Sequence, residues 1–263
     1  MHYQPSLDDV GRLAVEAGRA ILEIYRTDFS VDLKADQSPL TLADTCSHRI
    51  IADGLQAAYP DIPVLSEEGK SILYGVRKDW DRFWLVDPLD GTKEFIKRNN
   101  DFTVNIALIC DHMPTMGVVY VPALDDLYLA DVHRGCYRII RDCKTQLKIP
   151  PKMPAMTLRI VQSRSHPSAE LDAYIQRLPA TESLQRGSSL KFCAVASGEA
   201  DLYPRLGPTW EWDTAAGHAV VLAAGGVVVD LEGKPVRYNK ETLLNGPFLA
   251  APSREFLRRI HAI

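Results

Sequence analysis

Two aspartates, Asp87 and Asp90, stand three residues apart at the end of an apolar run, in WLVDPLDGTKEFIKRN. An ionised carboxylate beside buried residues is costly unless it is paired, hydrogen-bonded or bound to metal. Pro88 fixes the backbone between them, and Gly91 lets the chain turn sharply. That geometry could direct both side chains and the Leu89 carbonyl at one point. Oxygen-only donors of this kind suit a hard cation, Mg2+ ahead of Mn2+ or Ca2+. Taken alone, the stretch reads equally well as a turn held by Asx hydrogen bonds.

Further acids stand at the ends of other elements. Glu67 and Glu68 close PVLSEE, where a solvated loop is the simpler reading of the pair. Asp213 sits between Trp212 and the small-residue segment TAAGHAV, where an N-cap is the simpler reading. Thr41 and Asp44 in TLAD fit an ordinary helix start. Together, several acids gather at strand and helix ends with no His/Cys cluster competing. Divalent cations held by such acids imply phosphate chemistry: a water activated, phosphoryl oxygens polarised, a leaving alkoxide neutralised. Thr92 could hold the attacking water. A hydroxyl is a weak base, so it needs an acceptor behind it, and Asp44 is the candidate.

The elements that must position these residues are legible in the spacing of apolar positions. Val10, Leu13, Ala14, Ala17, Ile21 and Ile24 recur at helical intervals, with Ser6 as N-cap and Asp8 and Asp9 in the first turn. A second helix opens near Thr41, carries Ile50, Ile51 and Leu55, and stops before Tyr59-Pro60. DIPVLSEEG reads as a short strand, and RFWLVDPLDGT as a buried strand that stops at the first aspartate. FTVNIALIC, MGVVYVP, DDLYLADV and GCYRII follow as antiparallel strands. Three prolines in IPPKMPAM mark the densest boundary. Beyond it LRIVQSRSH reads as strand then loop, and VVVDLEG as strand and turn. SAELDAYIQRL, SSLKFCAVASGEA and DTAAGHAVVLAAGG read as helices. The expectation is an α+β half over 1–153, an α/β-like half over 154–263, and a cleft between them.

Whole-chain properties narrow the class. At 263 residues, 46% hydrophobic and 24% charged, the composition is globular. A net charge of −4 provides no broad field for a nucleic-acid polymer. Five scattered cysteines without a C-x-x-C pair fit a reduced, cytoplasmic protein and argue against zinc. The N-terminus lacks the basic start and apolar core of a signal peptide. The run Ala219 to Val229 is shorter than the roughly 20 residues of a spanning helix.

SEEG, WLVDPLDGTKEF and WDTAAG resemble the three signature segments of the lithium-sensitive, Mg2+-dependent phosphatases of the inositol monophosphatase superfamily. KADQSPLTLAD, IPVLSEE, DPLDGTKEFIKRN, FTVNIALI, SRSH, GSSLKFC and EWDTAAGHAV are similar to the bacterial CysQ-type 3'(2'),5'-bisphosphate nucleotidases. These matches run from residue 34 to past residue 220.

The resemblance implies a layered α/β/α/β/α sandwich of the fructose-1,6-bisphosphatase type. It implies one Mg2+ on Glu67, Asp87 and the Leu89 carbonyl, a second on Asp87, Asp90 and Asp213, and a third, weaker ion near Glu67. Mn2+ is an admissible substitute, and Li+ and Ca2+ are expected inhibitors. Thr92, backed by Asp44, would orient the water, and Glu68 is counted with these catalytic residues. Backbone N–H groups of Gly91 and Thr92 would meet the phosphate. The implied substrate is 3'-phosphoadenosine 5'-phosphate, with the corresponding phosphosulfate as a further candidate and a role in sulfate assimilation.

Lys93, Arg164, His166, Ser188, Ser189, Lys191, Arg205, Glu211 and Asp213 are the candidates for holding this small anionic partner, although each cation alone reads as a surface charge. Trp210 departs from the family pattern, where a smaller or polar residue is expected. An inositol or sugar phosphatase and a regulatory protein on the same scaffold are the alternatives. KEF after DPLDGT argues against inositol phosphatases, which carry a Thr-Asn-Phe type sequence there. A peripheral place on the cytoplasmic side of the inner membrane is compatible with the resemblance, and the oligomeric state is left open.

Overall fold

The computed structural model describes residues 4–33, 39–149, 157–165, 168–179 and 181–263. Helix α1 (Leu7–Tyr25) starts where the Ser6 side chain accepts from Asp9 N. After the short pair β1 (Asp32–Leu33) and β2 (Pro39–Leu40), α2 (Leu42–Ala58) opens on a capping box. The Thr41 side chain accepts from the helix, and the Asp44 carboxylate accepts from Thr41 N–H. Then come β3 (Val64–Ser66), α3 (Tyr74–Arg77), β4 (Arg82–Asp90) and the single turn α4 (Thr92–Ile96). A meander follows: β5 (Thr103–Cys110), β6 (Met113–Val121), β7 (Asp126–Asp131), β8 (Gly135–Ile140) and β9 (Cys143–Leu147). Strands β3 to β9 form one sheet in chain order, antiparallel except for the β3–β4 pair.

This sheet is covered on both faces, so its central strands read as unbroken apolar runs rather than alternating ones. Trp84 and Val86 of β4 pack with α1 and α2, while Phe83 and Leu85 pack on the other side against α6 (Leu190–Ala196) and α7 (Glu211–Ala223). Gly117 of β6 permits the close seating of α7: a Cβ there would lie 2.6 Å from the Ala216 carbonyl oxygen.

The remaining elements are β10 (Leu158–Ser163), α5 (Ala169–Ile175), β11 (Thr181–Arg186), β12 (Tyr203–Arg205), β13 (Thr209–Trp210), β14 (Val227–Val229), β15 (Leu244–Asn245), β16 (Phe248–Ala251) and α8 (Arg254–Arg259). Strands β12, β16 and β14 make a three-stranded antiparallel sheet. Along β16, Phe248 and Ala250 face the core beneath α6 and α7, and Leu249 and Ala251 face the core beneath α8. The layers are therefore helices, sheet, helices, sheet, helices, as expected from the sequence.

Three expectations are corrected. The second half is not a run of α/β units: β10 and β11 pair in parallel, but the sheet they lead to is antiparallel. The helix expected over SSLKFCAVASGEA stops at Ala196, because Gly198 turns away at φ +74°. The helix expected to open at Asp213 begins two residues earlier, at Glu211. The proline-rich boundary lies almost wholly outside the described residues, and the core beneath α7 draws on both halves of the chain.

Candidate active site

In a regular strand, side chains three apart face opposite sides of the sheet. Asp87 pairs with Asn105, yet Asp90 pairs with Thr103, so three steps on β4 oppose two on β5. The extra residue is a bulge, and it brings both aspartates to one side, the side shared by Asn105 and Thr103. Pro88 is tolerated in this central strand because a bulge needs no ladder donor there. Its carbonyl accepts from Ser47 Oγ at 2.7 Å, and Leu89 N–H donates to Asp87 Oδ1 at 3.1 Å. Asn105 Nδ2 donates to Asp90 Oδ2 at 3.3 Å and is itself held by Thr103 Oγ1 at 3.1 Å.

Gly91 ends the bulge at φ +91° and starts α4, placing Thr92 in its first turn. A Cβ on Gly91 would meet Ser188 Oγ at 2.1 Å. That hydroxyl donates toward the carbonyls of Asp90 (2.9 Å) and Asp101 (2.7 Å), joining the bulge to the start of α6. Thr92 Oγ1 lies 3.2 Å from Asp44 Oδ1 and 3.4 Å from the Leu89 carbonyl oxygen. Asp44 Oδ2 accepts from Thr41 N (2.8 Å) and Thr41 Oγ1 (2.7 Å). Asp44 thus caps α2 and backs Thr92 with the same carboxylate. Burial pushes its carboxyl up to about 6.

The acids of three elements meet here. Asp87 and Glu67 share a carboxyl–carboxyl hydrogen bond. Burial, then repulsion from Glu67, Asp90 and Asp213, raises the Asp87 carboxyl well above its ordinary range. Asp213 is raised in the same way, by burial and then by Asp90. It is the third residue of α7 rather than its N-cap, and its carboxylate accepts from Trp210 N at 2.9 Å. Asp90 is raised by burial but eased by Lys191 and by Asn105. The ammonium of Lys191 is lowered to about 8, again by burial, and lies 5.6 Å above the Tyr203 ring.

Among the described residues, no three His, Cys, Asp or Glu side chains stand ready-assembled around one ion. An all-oxygen donor set of one buried carboxylate, Asp87, and the half-buried Glu67, Asp90 and Asp213, compensated by the Lys191 ammonium, fits a hard divalent cation.

A cleft of about 210 Å³ opens over the cluster. Glu67, Asp90, Gly91, Thr92, Lys93 and Glu94 line one side, and Ser188, Lys191, Tyr203, Arg205, Thr209, Asp213 and Thr214 line the other. Asp87, Leu89 and Asp44 are buried behind this wall. Glu68, half-buried, does not line the cleft and is felt through its charge, which raises Asp44.

Three of the residues expected to touch substrate do something else. Arg164 is ion-paired to Asp101 at 3.1 Å and does not line the cleft. Glu211 is fully buried, accepting from Asn239 N (2.7 Å), Lys240 N (3.0 Å) and Lys240 Nζ (2.6 Å), a clamp on the loop that packs behind α7. Ser189 is buried, with its hydroxyl donating to the Asp213 carbonyl at 3.1 Å. His166 lies outside the described residues.

Asn105 and Asp101 were not singled out from the sequence. Asn105 had a signal, a polar residue inside the apolar run FTVNIALI. Asp101, which takes Gly187 N–H at 2.8 Å, had none.

The chain matches the Inositol monophosphatase family over residues 6–263. It is 50% identical over 245 residues to the 3'(2'),5'-bisphosphate nucleotidase CysQ of Escherichia coli O6:H1, covering 92% of this chain and 98% of that one. The crystal structure of CysQ from Bacteroides thetaiotaomicron superposes with a TM-score of 0.81 at 43% identity, covering 93% of this chain and 96% of that chain. The extragenic suppressor protein suhB of Bartonella henselae superposes with a TM-score of 0.79 at 26% identity, covering 97% and 96%.

Proposed function

The chain belongs to the inositol monophosphatase family, and from that premise we propose that it is a 3'(2'),5'-bisphosphate nucleotidase. It removes the 3'-phosphate of 3'-phosphoadenosine 5'-phosphate to leave AMP and inorganic phosphate, a recycling step in sulfate assimilation. One observation carries the reading: a carboxylate cluster shares its cleft with Lys191 and Arg205, in a chain half identical to named nucleotidases. A cleft built for a neutral polyol carrying a single phosphate needs no such pair of cations beyond the metal. A substrate with a second phosphate does.

The ligands of a divalent ion would be Glu67, Asp87, the Leu89 carbonyl, Asp90 and Asp213. When bound, Mg2+ supplies charge to the phosphoryl oxygens, acidifies a water and stabilises the departing alkoxide. Asp44, 3.2 Å from Thr92 Oγ1, fixes the direction of that hydroxyl and accepts a proton through it. Thr92 then holds the attacking water at one end of the cleft. Gly91, with no side chain, leaves its own N–H and that of Thr92 open to the phosphate. Lys191 balances Asp90 and meets anionic substrate. Arg205 is held rigid by Gly207 O at 3.1 Å and Pro208 O at 3.0 Å, and takes the more distant phosphate. Lys93 adds charge at the rim. Ser188 fixes the backbone that carries both halves of the site.

Phosphate release from 3'-phosphoadenosine 5'-phosphate and from inositol 1-phosphate, each with Mg2+ and with EDTA, tests the reading. A clear preference for the bisphosphate, lost in EDTA and reduced by Li+, is expected. Equal or reversed preference would make the protein an inositol or sugar monophosphatase.

A further inference from the structure

Trp84 is fully buried, whereas Trp210 remains 40% exposed. It stands in the chain between Thr209 and Asp213, both of which line the cleft, although its own side chain is not part of that lining. Its backbone is tied down on both sides. The N–H donates to Asp213 Oδ2 at 2.9 Å, and the carbonyl accepts from Asn245 Nδ2 at 2.9 Å. One face of the indole lies against Trp212, with centroids 5.3 Å apart and planes 14° from parallel. Trp212 in turn packs on the core beneath α7. A large aromatic plate is therefore held in a fixed attitude with much of its surface in solvent.

Among the described residues, the cleft itself offers no comparable surface. Its two aromatic rings, Phe192 and Tyr203, are each 2% exposed. They pack edge to face on one another, and both pack on Phe248. At about 210 Å³ the cleft is also smaller than the roughly 300 Å³ at which pockets begin to engulf an organic ligand. Sugar and phosphates would fill it, and a nucleobase would project over its edge. A base needs only a π face to stack on, whatever its hydrogen-bonding edge.

Resting on the nucleotidase reading, we propose that Trp210 is the platform on which the substrate's nucleobase stacks, and that it sets selectivity for nucleoside over base-free bisphosphates. The stack on Trp212 pre-orders the ring, so little rotamer freedom is lost on binding.

The test compares adenosine 3',5'-bisphosphate with its base-free analogue, 1,4-anhydroribitol 3,5-bisphosphate, in the wild type, Trp210→Ala and Trp210→Phe. The ratio of kcat/KM for the two substrates is expected to fall about 5- to 30-fold in Trp210→Ala, with Trp210→Phe between. Adenosine 5'-monophosphate is expected to quench a component of tryptophan fluorescence that is missing in Trp210→Phe, whose fold the smaller aromatic side chain preserves. An unchanged ratio, an equal loss on both substrates, or quenching that persists in Trp210→Phe would overturn the assignment while leaving the nucleotidase reading intact. A wild type inactive on adenosine 3',5'-bisphosphate would overturn both.

Discussion

Asp44→Asn separates the two jobs of one carboxylate. In the protein Asp44 is 1% exposed and accepts from Thr41 N, Thr41 Oγ1 and Thr92 Oγ1. Its carboxyl is raised from 3.8 to about 6, chiefly by burial. A raised acid binds its proton more tightly folded than unfolded, so it makes stability fall as pH rises from the unfolded to the folded value. The cost at pH 8 is about 3 kcal/mol, roughly half of which accrues between pH 5 and pH 8. Asparagine never ionises and escapes this cost, but it loses an acceptor at the cap, worth about 1 kcal/mol at any pH.

Relative to wild type, the metal-free variant should therefore gain on the order of 1 kcal/mol between pH 5 and pH 8, measured by urea unfolding. Turnover should fall by about 10²- to 10⁴-fold, because the amide cannot take a proton through Thr92. The wild-type rate should have an acid limb at or below pH 6, since cations bound nearby can only lower the Asp44 value. A variant within fivefold of the wild type from pH 6 to pH 9, or one whose relative stability ignores pH, would refute the dual role.

Asp87, Asp90 and Asp213 are all raised by burial, so the metal-free protein should gain stability as pH falls and carry the strain of the cluster at pH 8. Asp213→Asn should raise the metal-free Tm at pH 8 and lose most of the Tm increase that Mg2+ gives the wild type; a metal-free Tm below wild type would contradict this. Gly91→Ala forces a Cβ to 2.1 Å from Ser188 Oγ at φ +91°. Calorimetry should show a loss of at least about 2 kcal/mol, and a Tm within 1 °C of wild type, roughly the scale of assay error, would exclude the clash. Lys191→Met should raise KM for 3'-phosphoadenosine 5'-phosphate about 30-fold. The wild-type KM should rise above about pH 8 as Lys191 loses its proton, and a flat KM from pH 7 to pH 9.5 would remove it from substrate binding.

How much of this was legible in the sequence depends on whether a residue's role is local. Ser6 and Thr41 announced helices α1 and α2, because a cap acts within one turn. The apolar run of β4 announced a buried strand, and that of β5 an antiparallel neighbour. The proximity of Asp87 and Asp90 was legible, but its cause was not: the bulge exists only as a difference in register between β4 and β5. Asp213 read as an N-cap because helix starts are set by packing to within a couple of residues, and Trp210 holds that place instead.

Long-range partners were illegible. Arg164 looked like a phosphate ligand, but Asp101, distant in sequence, already holds it. Glu211 looked like a site acid beside Asp213, yet helical geometry turns neighbouring side chains apart, and it is buried against Lys240. Glu68 and Glu67 are adjacent in the same way, and only Glu67 reaches the cleft.

The central proposal is that carboxylates from the turn after β3, from β4 and from α7 act together through a divalent cation on a nucleoside bisphosphate. The most direct measurement is phosphate release from 3'-phosphoadenosine 5'-phosphate across a Mg2+ titration, in the wild type and in Asp90→Asn. The wild type should go from no turnover in EDTA to saturation, while Asp90→Asn, folded by circular dichroism, should stay inactive at every Mg2+ concentration. Near-normal turnover by Asp90→Asn, or wild-type turnover undiminished in EDTA, would contradict the claim.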